Sequence, residues 1–292
     1  MTAQKFGGPW SLEKLKIVEM YLRPFCRSLG NRFNLIYIDG FAGSGSFSFR
    51  EASAAPLLDQ AEVIKSASGS ARIALSCNPP FAKLYFIEQK RQNVLALQAL
   101  KLEYPSRNIE VIKGDANDLI AKVCKNVNWH NSRGVLFLDP FGNSVEWKTL
   151  EYVAKNTNLD VWYLFPLSGL FRQTPIDNNR LTDDKRASVT KLLGTDEWEK
   201  IFYTVPEKSN QVELGITHDL FSTEQEILVR TANVDGMIDY VSGRLRKLFP
   251  FVTEPRVLRG PSNAPLYALY LALSNDSKPA RNLAIKLASY LK

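Results

Sequence analysis

Five short apolar runs, four closed by an acid or a lysine and the last by a proline, constrain this chain more than any other feature. They cover residues 33–39, 83–88 (KLYFIE), 109–113 (IEVIK), 134–139 (GVLFLD) and 160–165 (DVWYLF). Helical stretches over 92–103, 116–126 and 147–155 separate the later runs. Short Val-, Ile- and Tyr-rich strands alternating with helices predict βαβ units and a parallel sheet covered on both faces. Two late runs, 251–258 and 266–273, bring the expected total to seven. The predicted fold is therefore α/β and Rossmann-like, with a mostly parallel seven-stranded sheet flanked by helices.

Around this frame, Leu12, Leu15, Val18 and Leu22 recur at helical spacing, with Ser11 as N-cap and Pro24 where the helix should end. Residues 46–79, rich in Ser and Ala, read as an insertion or lid with a helix around 56–67. After Pro166, helices are expected near 183–193 and 196–203, then a long or broken one over 223–249 interrupted by Gly236 and Gly243. A last helix spans about 279–291. With no repeat, low-complexity tract or long linker, residues 1–292 are expected to form one domain with helical insertions at about 46–79 and 171–215.

Composition excludes several classes of function. The 292 residues are 45% apolar, enough for a sizeable core, and no stretch approaches the roughly 20 apolar residues of a membrane span. The opening residues lack the apolar region of a secretory signal, so a cytoplasmic protein with no membrane partner is expected. Cys26, Cys77 and Cys124 are odd in number and 51 and 47 residues apart, and only His130 and His218 accompany them. That spacing suits neither a disulfide framework nor a metal knuckle, and buried thiols are expected. The net charge of +7 lies wholly in residues 240–292, which hold nine bases and two acids. Such a local excess suits a polyanion such as nucleic acid, or an ordinary solvated face.

Ligands of open parallel sheets bind outside the carboxyl ends of the strands. Here those ends carry Asp39-Gly40-Phe41-Ala42-Gly43-Ser44-Gly45, then Glu88, then Gly114-Asp115-Ala116-Asn117, then Asp139-Pro140-Phe141-Gly142. Four acids on one edge crowd like charge, and they make sense around a ligand rich in hydroxyl and amino groups that is itself cationic. S-adenosylmethionine is such a ligand. Asp39, Phe41, Ala42, Gly43 and Gly45 would shape the methionine end, where glycine lets the backbone approach. Glu88 would accept from the ribose hydroxyls, and Asp115 with Ala116 would meet the adenine. A nicotinamide dinucleotide fits less well. Its fingerprint has a third glycine opening the helix and an acid about 20 residues on, whereas Glu88 lies 43 residues past Gly45. No Gly-Lys-Ser/Thr follows, which excludes a Walker loop.

These four motifs in order resemble the three-Cys-motif partner proteins (TcmP). The opening Trp10-Ser11-Leu12-Glu13-Lys14-Leu15, Gly169-Leu170-Phe171-Arg172 and Leu266-Tyr267-Ala268-Leu269-Tyr270 are also similar, so the resemblance spans nearly the whole chain. It implies a class I methyltransferase fold, S-adenosylmethionine binding and a companion three-Cys-motif protein. The name refers to that companion's cysteines. Asp139-Pro140-Phe141 also resembles the Asp/Asn/Ser-Pro-Pro-Tyr/Phe run of amino-methyltransferases acting on exocyclic base nitrogens, with Phe141 where the second proline stands. That likeness implies that Asp139 and the Pro140 carbonyl accept from the target amine while Phe141 walls the pocket.

The expectation is methyl transfer to an amino nitrogen of a nucleic-acid base, DNA or RNA. A flipped base needs stacking partners and phosphate contacts. Trp162, Tyr163, Phe165 and Phe171 are candidates for the first, and Arg172, Arg244, Arg246 and Lys247 for the second. Residues 172–200, with six bases and six acids, are neutral. The alternatives are a non-catalytic or partner-dependent S-adenosylmethionine-binding subunit of a two-protein system, and a small-molecule methyltransferase.

Overall fold

The computed structural model describes residues 4–5, 9–51, 63–205 and 228–278, together with 281–282 and 285–286. Its central sheet is built from β1 (Asn34–Asp39), β2 (Lys83–Glu88), β3 (Ile109–Lys113), β4 (Ser132–Leu138), β5 (Leu159–Phe165), β6 (Phe251–Val252), β7 (Arg256–Arg259) and β8 (Pro265–Leu273). The strand order is β6-β8-β5-β4-β1-β2-β3, with β7 also paired to β8. From β3 to β5 all pairings are parallel, and β8 enters antiparallel against β5. This is the α/β arrangement, a mostly parallel sheet flanked by helices, that the sequence predicts. The chain winds outward from β1 through β2 to β3, then returns to β4 on the other side of β1. The order thus reverses at β1, and a crevice opens there at the carboxyl ends.

Near-continuous burial along β1, β4 and β5 follows from helices covering both faces. Helices α1 (Pro9–Leu29), α2 (Ser70–Leu75) and α3 (Arg91–Glu103) pack on one face through Val18, Leu22, Phe25, Ala74 and Leu97. On the other face α4 (Ala116–Asn126) and α5 (Trp147–Ala154) pack through Ile120, Val123, Leu150 and Val153. Beyond β5 come α6 (Leu167–Gln173), α7 (Asp183–Leu193), α8 (Glu197–Phe202) and α9 (Val234–Leu248), the last burying Met237, Val241 and Leu245 on the α4–α5 side. All three cysteines are buried free thiols. Among the described residues, no helix is long and apolar enough to cross a membrane.

Four expectations need correction. The sheet has eight strands because the 251–258 run breaks at Thr253-Glu254-Pro255, where proline offers no N–H, and β6 and β7 pair separately with β8. Helix α1 runs through Pro24 to Leu29, with Gly30 N donating to Cys26 O at 2.8 Å, because burial of Phe25 and Cys26 outweighs the lost backbone bond. The insertion after β1 is not helical over 63–67. Ser46–Glu51 and Val63–Ser68 form an antiparallel pair, and Gln4–Lys5 adds a parallel third strand. β-Branched Val63 and Ile64 favour the extended state there, while 52–62 lie outside the described residues. The predicted 223–249 helix begins only at Val234, capped by Asn233, whose Oδ1 accepts from Gly236 N at 2.9 Å. Val229–Arg230 instead pair with Tyr203–Thr204. Of the other expectations, 206–227 and most of 279–291 lie outside the described residues.

Candidate functional site

The loop after β1 is fastened to both neighbouring strands. Gly40 N donates to Phe137 O of β4 at 2.9 Å, and Ala42 N to Ile87 O of β2 at 3.0 Å. Beneath it Asp39 is fully buried and lines neither cavity described below. Its Oδ1 accepts from Phe41 N at 3.2 Å, and its Oδ2 from Ser70 Oγ at 2.6 Å and Tyr37 OH at 3.4 Å. Burial pushes its carboxyl up to about 7, with the Asp139 charge adding to the rise and the three donors opposing it. Asp39 therefore braces the glycine loop from below. Gly45, at φ 76°, closes that loop where a Cβ would sit 2.9 Å from Leu100 Cδ2.

The ends of β2 and β3 frame a cavity of about 360 Å³ whose lining includes Glu88, Asp115, Ala116, Phe41 and Phe141. Glu88 is buried, and its Oε1 accepts from Lys90 N at 2.7 Å. Asp115 caps α4, its Oδ1 accepting from Asn117 N at 2.8 Å and Asn117 Nδ2 at 3.0 Å. Asn117 also donates to Ser144 O at 2.9 Å and accepts from Glu146 N at 3.0 Å and Thr149 Oγ1 at 2.8 Å. One side chain thus ties the β3 and β4 loops together. Glu146, held by both Lys148 and Lys191 at 2.6 Å, brings α7 to the rim of this cavity.

A second cavity, of about 350 Å³, lies on the other side of Phe41 and Phe141. Ala42, Gly43, Gly45, Asp139 and Pro140 line it, with Trp10 and Tyr267 on its outer walls. Lys14, only 8% exposed, donates its Nζ to Asp139 Oδ2, and both residues line this cavity. Phe141 is 47% exposed, and Lys90 Nζ lies 4.9 Å from its ring centroid. The sequence reading missed Lys14, Trp10 and Tyr267 as site residues. A signal for Lys14 was present: Lys14, Val18, Tyr21 and Phe25 share one helical stripe and all are buried, so a lysine occupies an apolar position.

The predicted phosphate contacts separate into two groups. Arg172, exposed at the end of α6, lies close enough to Tyr267 to oppose the upward push on that phenol from burial and from Asp139. Arg244 turns inward: its guanidinium lies 4.8 Å over Trp147 and donates to Leu193 O at 2.9 Å. Arg246 pairs with Glu254. With Lys247 they close α9 just before β6, which pairs with the last residues of β8, and these in turn pair with Asp160 at the start of β5. The end of α9 therefore lies toward the amino ends of the strands, so Arg244, Arg246 and Lys247 do not line either cavity. Trp162, Tyr163 and Phe165 are core residues, and Arg230 covers the Phe171 ring at 3.8 Å.

No protein family and no curated protein matches the chain in sequence. Among solved structures, protein LPL1258 of Legionella pneumophila, of the DUF519 family, superposes at a TM-score of 0.54 with 11% identity, over 97% of this chain and 92% of that one. It shares the fold. Two others, yhhF of Escherichia coli (17% identity; 50% of this chain, 69% of that one) and YcgJ of Bacillus subtilis (10%; 86% and 95%), reach a TM-score of only 0.31, too low to bear on fold or function.

Proposed function

We propose that this chain is an S-adenosylmethionine-dependent methyltransferase of the three-Cys-motif partner type, acting on an exocyclic amino nitrogen of a nucleic-acid base. The observation that carries the reading is the pair of cavities meeting at Phe41 and Phe141, one bearing Glu88 and Asp115, the other Asp139. The donor set fits the cofactor. Glu88 has an oxygen beyond the one used by Lys90, Asp115 one beyond that used by Asn117, and Ala42, Gly43 and Gly45 of the glycine loop line the adjoining cavity across Phe41. Bound there, S-adenosylmethionine supplies an electrophilic methyl on a sulfonium. Glu88 would hold the ribose, Asp115 and Ala116 the adenine edge, and Phe41 the apolar middle.

Amine methylation needs alignment more than proton transfer before attack. Asp139 Oδ1 accepts one hydrogen of the target amine, freeing its lone pair and stabilising the positive charge that develops on nitrogen. Pro140 O is the second acceptor candidate. Lys14 holds the other carboxylate oxygen and so fixes the plane in which Oδ1 presents itself. Trp10, Tyr267 and Phe141 offer flat walls for a base. Asp139 touches the substrate in this scheme, and Lys14 is a positioning residue.

The test is calorimetric titration with S-adenosylmethionine beside Glu88→Ala and Asp115→Ala, followed by transfer of labelled methyl to DNA and RNA. Micromolar binding weakened roughly tenfold or more in each variant supports the cofactor assignment; each lost hydrogen bond contributes about 1–2 kcal/mol. Unchanged binding in both variants overturns it. Binding without transfer to any nucleic acid removes the substrate half of the proposal.

A further inference from the structure

Five of the nine bases in residues 240–292 lie on α9 and β7. Arg246 and Lys247 close α9 toward the amino ends of the strands, and Arg244 is spent inside the protein. Arg256 and Arg259 belong to β7, an edge strand paired with β8 alone among the described residues. Their register brings them to the site. Leu258 faces Tyr267 across the ladder, Arg259 faces Pro265, and Arg256 Nε donates at 2.9 Å to Glu13, the neighbour of Lys14 in α1. Arg259 Nη1 donates to Asn263 O at 2.9 Å, which points it along the strand end. On the other flank of Tyr267 stands exposed Arg172. Three guanidiniums thus sit on segments that adjoin Tyr267 or α1, which line the Asp139 cavity together with Trp10 and Phe141. Arg256 and Arg259 are about 10 Å apart along the strand, enough to meet different phosphates.

We infer that the polynucleotide enters across β7, with its phosphates on Arg172, Arg256 and Arg259 and its target base inserted between Trp10, Tyr267 and Phe141. The inference rests on the nucleic-acid reading above and adds to it the path of the strand. Aromatic walls beside a cationic track are the combination that holds an unstacked strand without sequence readout. Glu13 shields one of the three contacts, since Arg256 must leave or share that carboxylate to meet a phosphate. Its removal therefore strengthens binding.

The experiment is fluorescence anisotropy of a labelled single-stranded oligonucleotide of mixed sequence over a salt series. Each phosphate contact contributes about 0.7 to the slope of log K against log salt on a single strand. Arg172→Gln with Arg256→Gln and Arg259→Gln should make the slope shallower by about 2, while Arg246→Gln with Lys247→Gln leaves it unchanged. Glu13→Gln should raise affinity several-fold, a gain that a merely structural role for Arg256 would not give. An unchanged slope in the triple variant, or a loss confined to the Arg246/Lys247 variant, overturns the path and leaves the nucleic-acid reading standing. A wild-type protein that binds S-adenosylmethionine but no oligonucleotide overturns both.

Discussion

Lys14→Met removes the ammonium from Asp139 and keeps most of the volume, so its effect isolates the charge. Breaking a fully buried ion pair costs about 3–5 kcal/mol. Here the Lys14 side chain is 10% exposed and that of Asp139 26%, so the orphaned carboxylate recovers part of its hydration. We expect a loss of about 1–3 kcal/mol, or roughly 3–8 °C in Tm for a chain of this size. The larger effect is on the reaction. Without its tether the carboxylate rotates, and misalignment at this level lowers kcat about 10–100-fold. Affinity for S-adenosylmethionine should stay within about twofold, because its holding residues lie across Phe141. Lys14→Arg should restore stability more than rate, since it returns the charge with a different hydrogen-bond geometry. The assays are calorimetry for the donor and single-turnover methyl transfer for the step. A Lys14→Met protein with undiminished kcat, or one that loses donor affinity in step with kcat, refutes the positioning role.

Two further outcomes follow from buried features. Asp39 in the folded state titrates at about 7 against an ordinary 3.8, so the native protein holds a proton that the unfolded chain has already released. Its contribution therefore turns against stability progressively as pH rises from about 4 to about 7, and Asp39→Asn should gain on the wild type across that window. Urea midpoints at about pH 4.5 and about pH 7.5 measure this, and parallel profiles would exclude it. Gly194, at φ 70°, ends α7 against Trp147, and a Cβ there would overlap the indole. Gly194→Ala should cost about 3 kcal/mol or more, read as a fall in urea midpoint at unchanged slope. A variant as stable as the wild type would mean that the α7–α5 contact yields freely.

The sheet was legible where local signals agreed. β2 and β3 fall at the predicted residues because each is an apolar run closed by a charged or glycine stop. α7 does too, with Thr182 capping through its Oγ1 and Gly194 stopping the helix. The pair Ser46–Glu51 and Val63–Ser68 was missed because Ser and Ala carry weak preferences that pairing with a distant segment overrides. The split of β6 from β7 turns on Pro255, whose missing N–H matters only once β8 lies alongside. At the site, acids at strand ends could be read from order alone. Their division between two cavities could not, because it depends on how Phe41 and Phe141 stand in space. The position of the basic residues was not legible for the same reason: charge counts along the chain do not say at which end of the strands a helix stops.

The first helix is bonded to partners far down the chain. Lys14 meets Asp139 across 125 residues, Tyr21 OH donates to Asp160 at 2.6 Å across 139, and Glu13 receives Arg256 across 243. A nascent chain emerging from the ribosome therefore displays one pocket wall at the outset and must wait for Tyr267 to supply the opposite one. The β1–β4 region with its acids is complete well before then, but the Asp139 cavity closes only when β8 slots in beside β5. An interrupted translation product would carry the Glu88 and Asp115 cavity without the Tyr267 wall of the other one.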